Sequence, residues 1–130
     1  MSKLKVIQLL PELNIGGVER GTKDFSSALV QRGYESIVIS NGGIFENDII
    51  KDGARHIKIP IHKKSLFSLL LSKKLRTLYE EEKPDIVHVR SRMPAWINFY
   101  AFKGLIKKPI LISTFPVSYT HLTLPTIYSV

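Results

Sequence analysis

Apolar residues fall into five short runs, separated by longer stretches with helical spacing. Leu4 to Leu10 is nearly continuous, as expected of a strand buried on both faces of a parallel sheet. From Val18 to Gln31, the positions Val18, Thr22, Phe25 and Leu29 predict one stripe of an amphipathic helix, and Gly33 stops it as a C′ residue would. Glu35 to Ser40 reads as a second strand and Asn41-Gly42-Gly43 as a turn. A short helix over Glu46 to Asp52, closed by Gly53, follows. The weak alternation of Arg55 to Ile61 predicts a third strand at or near an edge, because Pro60 cannot donate to a ladder.

Ser65 to Glu82 predicts the clearest helix. Ser65 is its N-cap, and Leu66, Leu69, Leu70, Leu75, Leu78 and Tyr79 form its stripe. Lys83-Pro84 ends it, since the residue before proline is pushed out of the helical region. Asp85 to Val89 is a fourth strand, Pro94 to Ile106 a helix with Pro94 in its first turn, and Pro109 to Phe115 a fifth strand. Strand and helix alternate five times. The expected fold is therefore α/β, a Rossmann-like doubly wound parallel sheet of about five strands in the order 3-2-1-4-5 with right-handed crossovers.

That order puts strands one and four side by side, and the crevice outside their carboxyl ends is where ligands bind in such sheets. After strand one comes Pro11-Glu12-Leu13-Asn14-Ile15-Gly16-Gly17-Val18-Glu19-Arg20-Gly21. Gly16 and Gly17 sit where a helix begins. They allow close approach to its unpartnered N–H groups, which favour a phosphate or another anion. A tight turn that needs glycine for geometry alone is the alternative. After strand four comes His88-Val89-Arg90-Ser91-Arg92-Met93-Pro94. Arginine pairs bidentately with phosphate or carboxylate, so Arg90, Ser91 and Arg92 are candidates for the same anion pocket. Solvated loop charges are the alternative for the two arginines.

Two nucleotide motifs are excluded. Gly16-Gly17-x-x-x-Gly21 is not GxGxxG, and strand two ends in Ser40-Asn41 with no acidic residue for a ribose. No Gly-Lys-Ser/Thr follows the loop. The four histidines, His56, His62, His88 and His121, lack metal-ligand spacing, so no metal site is expected, and His88 reads as a core or supporting residue. Glu80-Glu81-Glu82 reads as a solvated helix end.

The chain has 130 residues, 44% of them hydrophobic, which suits one globular domain. It has no cysteine, no membrane-length apolar stretch, and an N-terminus unlike a signal peptide, so a cytoplasmic location is expected. A net charge of +8 favours an anionic partner without choosing one. Lys63, Lys64, Lys73, Lys74 and Arg76 flank a leucine-rich helix that could rest on an anionic membrane, or could be the basic outer face of a sheet-covering helix. No nucleic acid partner is expected, because the few aromatics fall on core stripes.

Three segments together resemble the N-terminal domain of family 4 glycosyltransferases of the GT-B architecture. They are Leu9-Leu10-Pro11-Glu12-Leu13-x-x-Gly16-Gly17-Val18-Glu19-Arg20-Gly21, Leu29-Val30-x-x-Gly33-Tyr34-Glu35, and Pro84-Asp85-Ile86-Val87-His88-Val89-Arg90-Ser91-Arg92-x-Pro94-Ala95-Trp96. The last is similar to bacterial members that build lipopolysaccharide and other surface glycans. The resemblance implies transfer of a sugar from a nucleotide-sugar to a glycan or lipid-linked acceptor, with retention and without cofactor or metal. Gly16 and Gly17 would approach the donor phosphate, and Arg90, Ser91 and Arg92 would line the acceptor side. A non-catalytic anion- or membrane-binding α/β module is the alternative.

Two departures from the family pattern follow. Residues 1–115 correspond to an incomplete first domain, and the second domain, which supplies most nucleotide contacts in the family, is missing. Ser113-Thr114-Phe115 resembles a stretch that continues in the family into a histidine reaching the reacting sugar, but Pro116 stands here and His121 is out of register. No catalytic residue is therefore assigned, and the chain alone is expected to be inactive. Residues 116–130 are unlike the family and resemble a translated adaptor, so they are expected to be artefactual. Strand five is expected to be an exposed edge, and stability to be marginal.

Overall fold

The computed structural model describes residues 3–13, 16–61, 67–114 and 128–129. In chain order the elements are β1 Lys5–Leu9, α1 Gly17–Gln31, β2 Glu35–Ser40, α2 Glu46–Lys51 and β3 Arg55–Lys58. They continue with α3 Phe67–Glu82, β4 Ile86–Val89, α4 Arg92–Lys103, β5 Ile110–Ser113 and β6 Tyr128–Ser129. The sheet is wholly parallel in the order β3-β2-β1-β4-β5-β6. Its first five strands have the Rossmann-like order 3-2-1-4-5. The two-residue β6 pairs with Ile112 and Ser113, so β5 is not the edge strand it was expected to be.

Side chains alternate across a strand, and the two faces of this sheet differ in chemistry. Ile7, Leu9, Ile37, Ile39, Val87 and Val89 pack with Leu75, Tyr79, Ile97, Ala101 and Phe102 into an apolar layer under α3 and α4. Val38 and Leu10 join Ile49, Ala54 and Val30 in a smaller apolar cluster on the other face, toward α1 and α2. Gln8, Ser36, Ser40 and His88 occupy alternate positions on that second face, and all four are buried.

That polar face changes the helix above it. The buried residues of α1 are Thr22, Ser26 and Leu29, whereas Val18 and Phe25, expected on the inward stripe, are 44% and 39% exposed. Small hydroxyl residues meet the polar sheet face directly: Ser26 and Ser36 share a hydrogen bond of 2.6 Å, and Gln8 Nε2 donates to the Thr22 carbonyl at 3.2 Å. Buried polar atoms need such partners, and an inward Phe25 would have denied them.

On α3, Leu75 and Tyr79 are buried, with Leu71 and Leu78 packed against the core, but Leu70 is 62% exposed. Residues 62–66 lie outside the described residues, so the expected Ser65 cap does too. Lys83 ends the helix with φ of 51°, the left-handed region, immediately before Pro84. Helix α4 starts at Arg92, two residues before its expected start, and Pro94 still falls where no intrahelical N–H is needed. The aromatics are divided: Tyr79 and Phe102 are buried, whereas Phe25, Tyr34 and Tyr100 are exposed, so they do not all sit on core stripes.

Candidate functional site

The loop after β1 is stitched to the turn after β2. Leu10 N–H donates to Ile39 O, Asn41 N–H to Pro11 O, Leu13 N–H to Gly42 O, and Phe45 N–H to Leu13 O, at 2.8 to 3.2 Å. Leu13 is fully buried and anchors the loop. Its far end reaches Gly16, the N-cap of α1, with extended backbone open to any residue. What a side chain would meet there is the movable end of Glu19. A Cβ on Gly16 would lie 2.6 Å from Glu19 Oε1, because the Glu19 carboxylate folds back over Gly16 from the first turn. A carboxylate at a helix N-terminus is favourable, so α1 supplies its own anion. A Cβ on Gly17 would meet none of the described residues within 4 Å.

At the end of β4, the Arg90 N–H extends the ladder to Leu9 O, and its side chain lies on the α1 face. Arg90 Nε donates to Gln8 Oε1 at 2.7 Å, and the guanidinium sits 5.7 Å from the centre of the Phe25 ring. A Cβ on Gly21 would lie 3.7 Å from Arg90 Nη1, so α1 and this side chain are in close register. Arg90 is half-buried, and burial lowers its pKa from the usual guanidinium value. Among the described residues no carboxylate pairs with it. Its positive charge is thus held by a neutral amide and an aromatic face.

His88 lies on the same face as Arg90. It shares a hydrogen bond of 2.9 Å with Thr114 Oγ1 and packs edge-on against Phe25. Burial and the neighbouring Arg90 charge push its pKa down to about 4, so the ring is neutral at pH 7.

Ser91 is the N-cap of α4 in extended conformation, yet its Oγ makes no cap and is buried without a partner among the described residues. Ser113 Oγ is in the same state at the end of β5. A crevice of about 350 Å³ is lined by Leu10, Pro11 and Glu12 from the loop, Val18 and Glu19 from α1, and Ser91. The loop after β1 and the end of β4 therefore open together. Of the five candidate residues, Ser91 lines this crevice, Gly16 lies under the Glu19 carboxylate and Gly17 is exposed beside it. Arg90 faces α1, and Arg92 is exposed on the first turn of α4.

Among the described residues no group of three His, Asp or Glu side chains could hold a metal. No described helix is long and apolar enough to cross a membrane. Of the five basic residues expected on an outer face, Lys63 and Lys64 lie outside the described residues, and Lys73 and Lys74 are exposed. Arg76 is a correction. Its Nε and one terminal nitrogen donate to Ala101 O and Tyr100 O at 3.1 and 3.0 Å, so it is committed to the end of α4.

Gln8, Phe25, Glu12 and Glu19 belong to the site without having been singled out in the sequence. Gln8 carried a usable signal, as the one polar residue in the buried run Val6-Ile7-Gln8-Leu9-Leu10, where an amide must find partners. Phe25 carried none, because helical spacing alone assigns it to the core.

The profile of Glycosyltransferase Family 4 matches residues 15–115, which span the glycine loop, the Arg-Ser-Arg segment and four of the five main strands. The chain belongs to this family. In structure it is similar to a glycosyltransferase from Rickettsia africae ESF-5, with 35% sequence identity and a TM-score of 0.74. That likeness covers 88% of this chain and 30% of the other, so this chain spans under a third of that relative's length. No curated protein matches the chain.

Proposed function

We propose that residues 1–115 form the beginning of the N-terminal domain of a retaining, metal-independent glycosyltransferase. It moves a sugar from a nucleotide-sugar to an acceptor hydroxyl in bacterial lipopolysaccharide or surface-glycan synthesis. The observation that carries this reading is Arg90: a half-buried cation at the switch point between β1 and β4, with no described carboxylate beside it. Such a charge suits an anionic substrate group, and sugar transfer from a nucleoside diphosphate develops negative charge on the departing phosphate.

In this reading the α1 N-terminus at Gly16 and Gly17 takes the donor phosphate, and Arg90, Ser91 and Arg92 line the acceptor side. The Ser91 hydroxyl has no partner among the described residues, and a substrate oxygen that gained access to it would supply one. The chain supplies one wall of a two-domain cleft, and Pro116 stands where the family resemblance expects its histidine. The 130-residue chain alone is therefore inactive, because transfer needs donor and acceptor oriented together. Residues 116–130 are read as foreign to the natural protein, which has a cytoplasmic location. Lys73 and Lys74 would add contact with the inner membrane face, which co-sedimentation with anionic against neutral vesicles would test.

The test is to recover the contiguous gene, express the full-length parent and assay it against a panel of nucleotide-sugars. The parent should release nucleoside diphosphate, and Arg90→Ala should reduce turnover by roughly a hundredfold, as expected for loss of one preorganised donor. An active parent whose Arg90→Ala form keeps its rate within about twofold would sink the assignment.

A further inference from the structure

Away from the crevice, where β2 ends beside β3, a polar network links three elements. Gly42 N–H donates to Ser40 Oγ at 3.0 Å. Ser40 Oγ and His56 Nε2 are 2.7 Å apart, and His56 Nδ1 lies 3.3 Å from Glu46 Oε1. The second Glu46 oxygen lies beside Gly42, 2.8 Å from where a Cβ would stand. Gly42 has φ of 94°, which favours glycine there.

Ser40 is fully buried, and the His56 side chain is 1% exposed. A serine hydroxyl that is out of reach is no nucleophile, so the Ser–His–Glu sequence here is not a catalytic triad. The network instead orders protons. The Glu46 carboxylate can only accept, so the neutral His56 carries its proton on Nδ1 and its Nε2 accepts from the Ser40 O–H, while Ser40 Oγ accepts from Gly42. The Nδ1 proton of His56 then points at Glu46. This is the neutral tautomer, and burial of the ring lowers its pKa against the pull of Glu46.

The same turn holds the crevice. Gly42 O accepts from Leu13, Phe45 N–H returns to Leu13 O, and Asn41 N–H reaches Pro11 O. Pro11 and Glu12 line the crevice, and the loop leads on to Gly16. Disturbing Ser40 or Gly42 therefore moves the wall of the site, although His56 touches nothing in it.

We infer that His56 is a positioning residue: through Ser40 and Gly42 it latches the loop after β1 in the geometry that forms the candidate site. The charged groups that face it are Glu46 from α2 and Lys58 from β3. Protonating His56 removes the acceptor for Ser40 O–H, so the latch loosens on acidification. The latch stands whether or not the crevice serves sugar transfer.

The test uses the 130-residue chain, with ¹⁵N spectra of the imidazole and hydrogen exchange of individual amides. At pH 7 His56 Nε2 should be unprotonated and Nδ1 protonated. In His56→Ala, exchange at Leu13, Asn41 and Phe45 should quicken by roughly tenfold, the effect of one lost hydrogen bond, while Ile7 and Val87 in the central strands stay unchanged. His56→Gln keeps an acceptor for Ser40 and a donor for Glu46, so it should restore slow exchange and abolish the acid-induced loosening. Unchanged loop exchange in His56→Ala, equal acceleration in the central strands, or a protonated Nε2 at pH 7 would each overturn the inference. Should His56→Ala not fold, the acid titration of the unaltered chain decides. Loop amides that loosen only together with the central strands then count against the latch.

Discussion

Arg90 Nε donates to Gln8 Oε1 at 2.7 Å, across 82 residues of sequence. Gln8 is wholly buried, and its Nε2 is already committed to Thr22 O. One amide therefore orients the guanidinium at the end of β4 and ties α1 to the sheet. Gln8→Leu would fill the space and leave both Arg90 Nε and Thr22 O without this partner. The expected loss is about 1–3 kcal/mol, the cost of unsatisfied buried polar groups, and urea denaturation with an unchanged m-value would measure it. A loss below about 0.5 kcal/mol would mean that water replaces the amide and that Arg90 is held elsewhere.

Glu19 over Gly16 bears on anion binding. Its carboxylate lies where an incoming phosphate would meet the α1 N-terminus. Glu19→Gln should cost the free chain about 0.3–1 kcal/mol of helix stabilisation. The same change should tighten binding of inorganic pyrophosphate severalfold, followed by shifts of the Gly16 and Gly17 amides. Equal or weaker pyrophosphate binding would show that Glu19 does not compete for the site.

Much of this was legible in the chain. The five-strand order followed from alternation of short apolar runs with helical segments, and the loop and the Arg-Ser-Arg segment followed from where strands one and four end. What periodicity could not supply was the chemistry of each face. Gln8, Ser36, Ser40 and His88 make one face of the sheet polar, and α1 turned Thr22 and Ser26 inward and left Phe25 beside Arg90. A hydrophobic stripe assumes an apolar partner, so on α1 it placed Thr22 and Leu29 inward correctly but misplaced Val18 and Phe25. Likewise, Arg76 looked like an outer-face cation because sequence spacing does not reveal the free carbonyls at the end of a neighbouring helix.

His88 sets a pH dependence. Its pKa in the folded chain is about 4, below the usual 6.5 of the unfolded one. Between those values the unfolded chain takes up a proton that the folded chain refuses. Stability from His88 is thus full above pH 6.5 and falls as the pH drops toward 4, with a slope approaching about 1.4 kcal/mol per pH unit. His56 pulls in the same direction, and Glu82, whose carboxylate is stabilised by Arg55 and Lys5, loses its share at lower pH. Both remain in His88→Gln. The difference between the two stability curves should therefore slope only in the His88 window. Parallel curves from pH 7 to 4 would show that His88 charges freely in the fold.

The hydroxyl pair beneath α1 gives the sharpest test of the polar face. Ser26 and Ser36 are both buried and share a bond of 2.6 Å between helix and strand. Changing either to alanine alone strands the other hydroxyl in a buried site, which should cost about 1–3 kcal/mol. Changing both removes donor and acceptor together and leaves methyl groups of similar size. The double variant should then lie nearer the parent than the sum of the singles, with a coupling energy of about 0.5–3 kcal/mol in a double-mutant cycle. Strict additivity of the two losses would mean that the hydroxyls do not satisfy each other. The close approach of α1 to β2 would then be a matter of small side-chain volume alone.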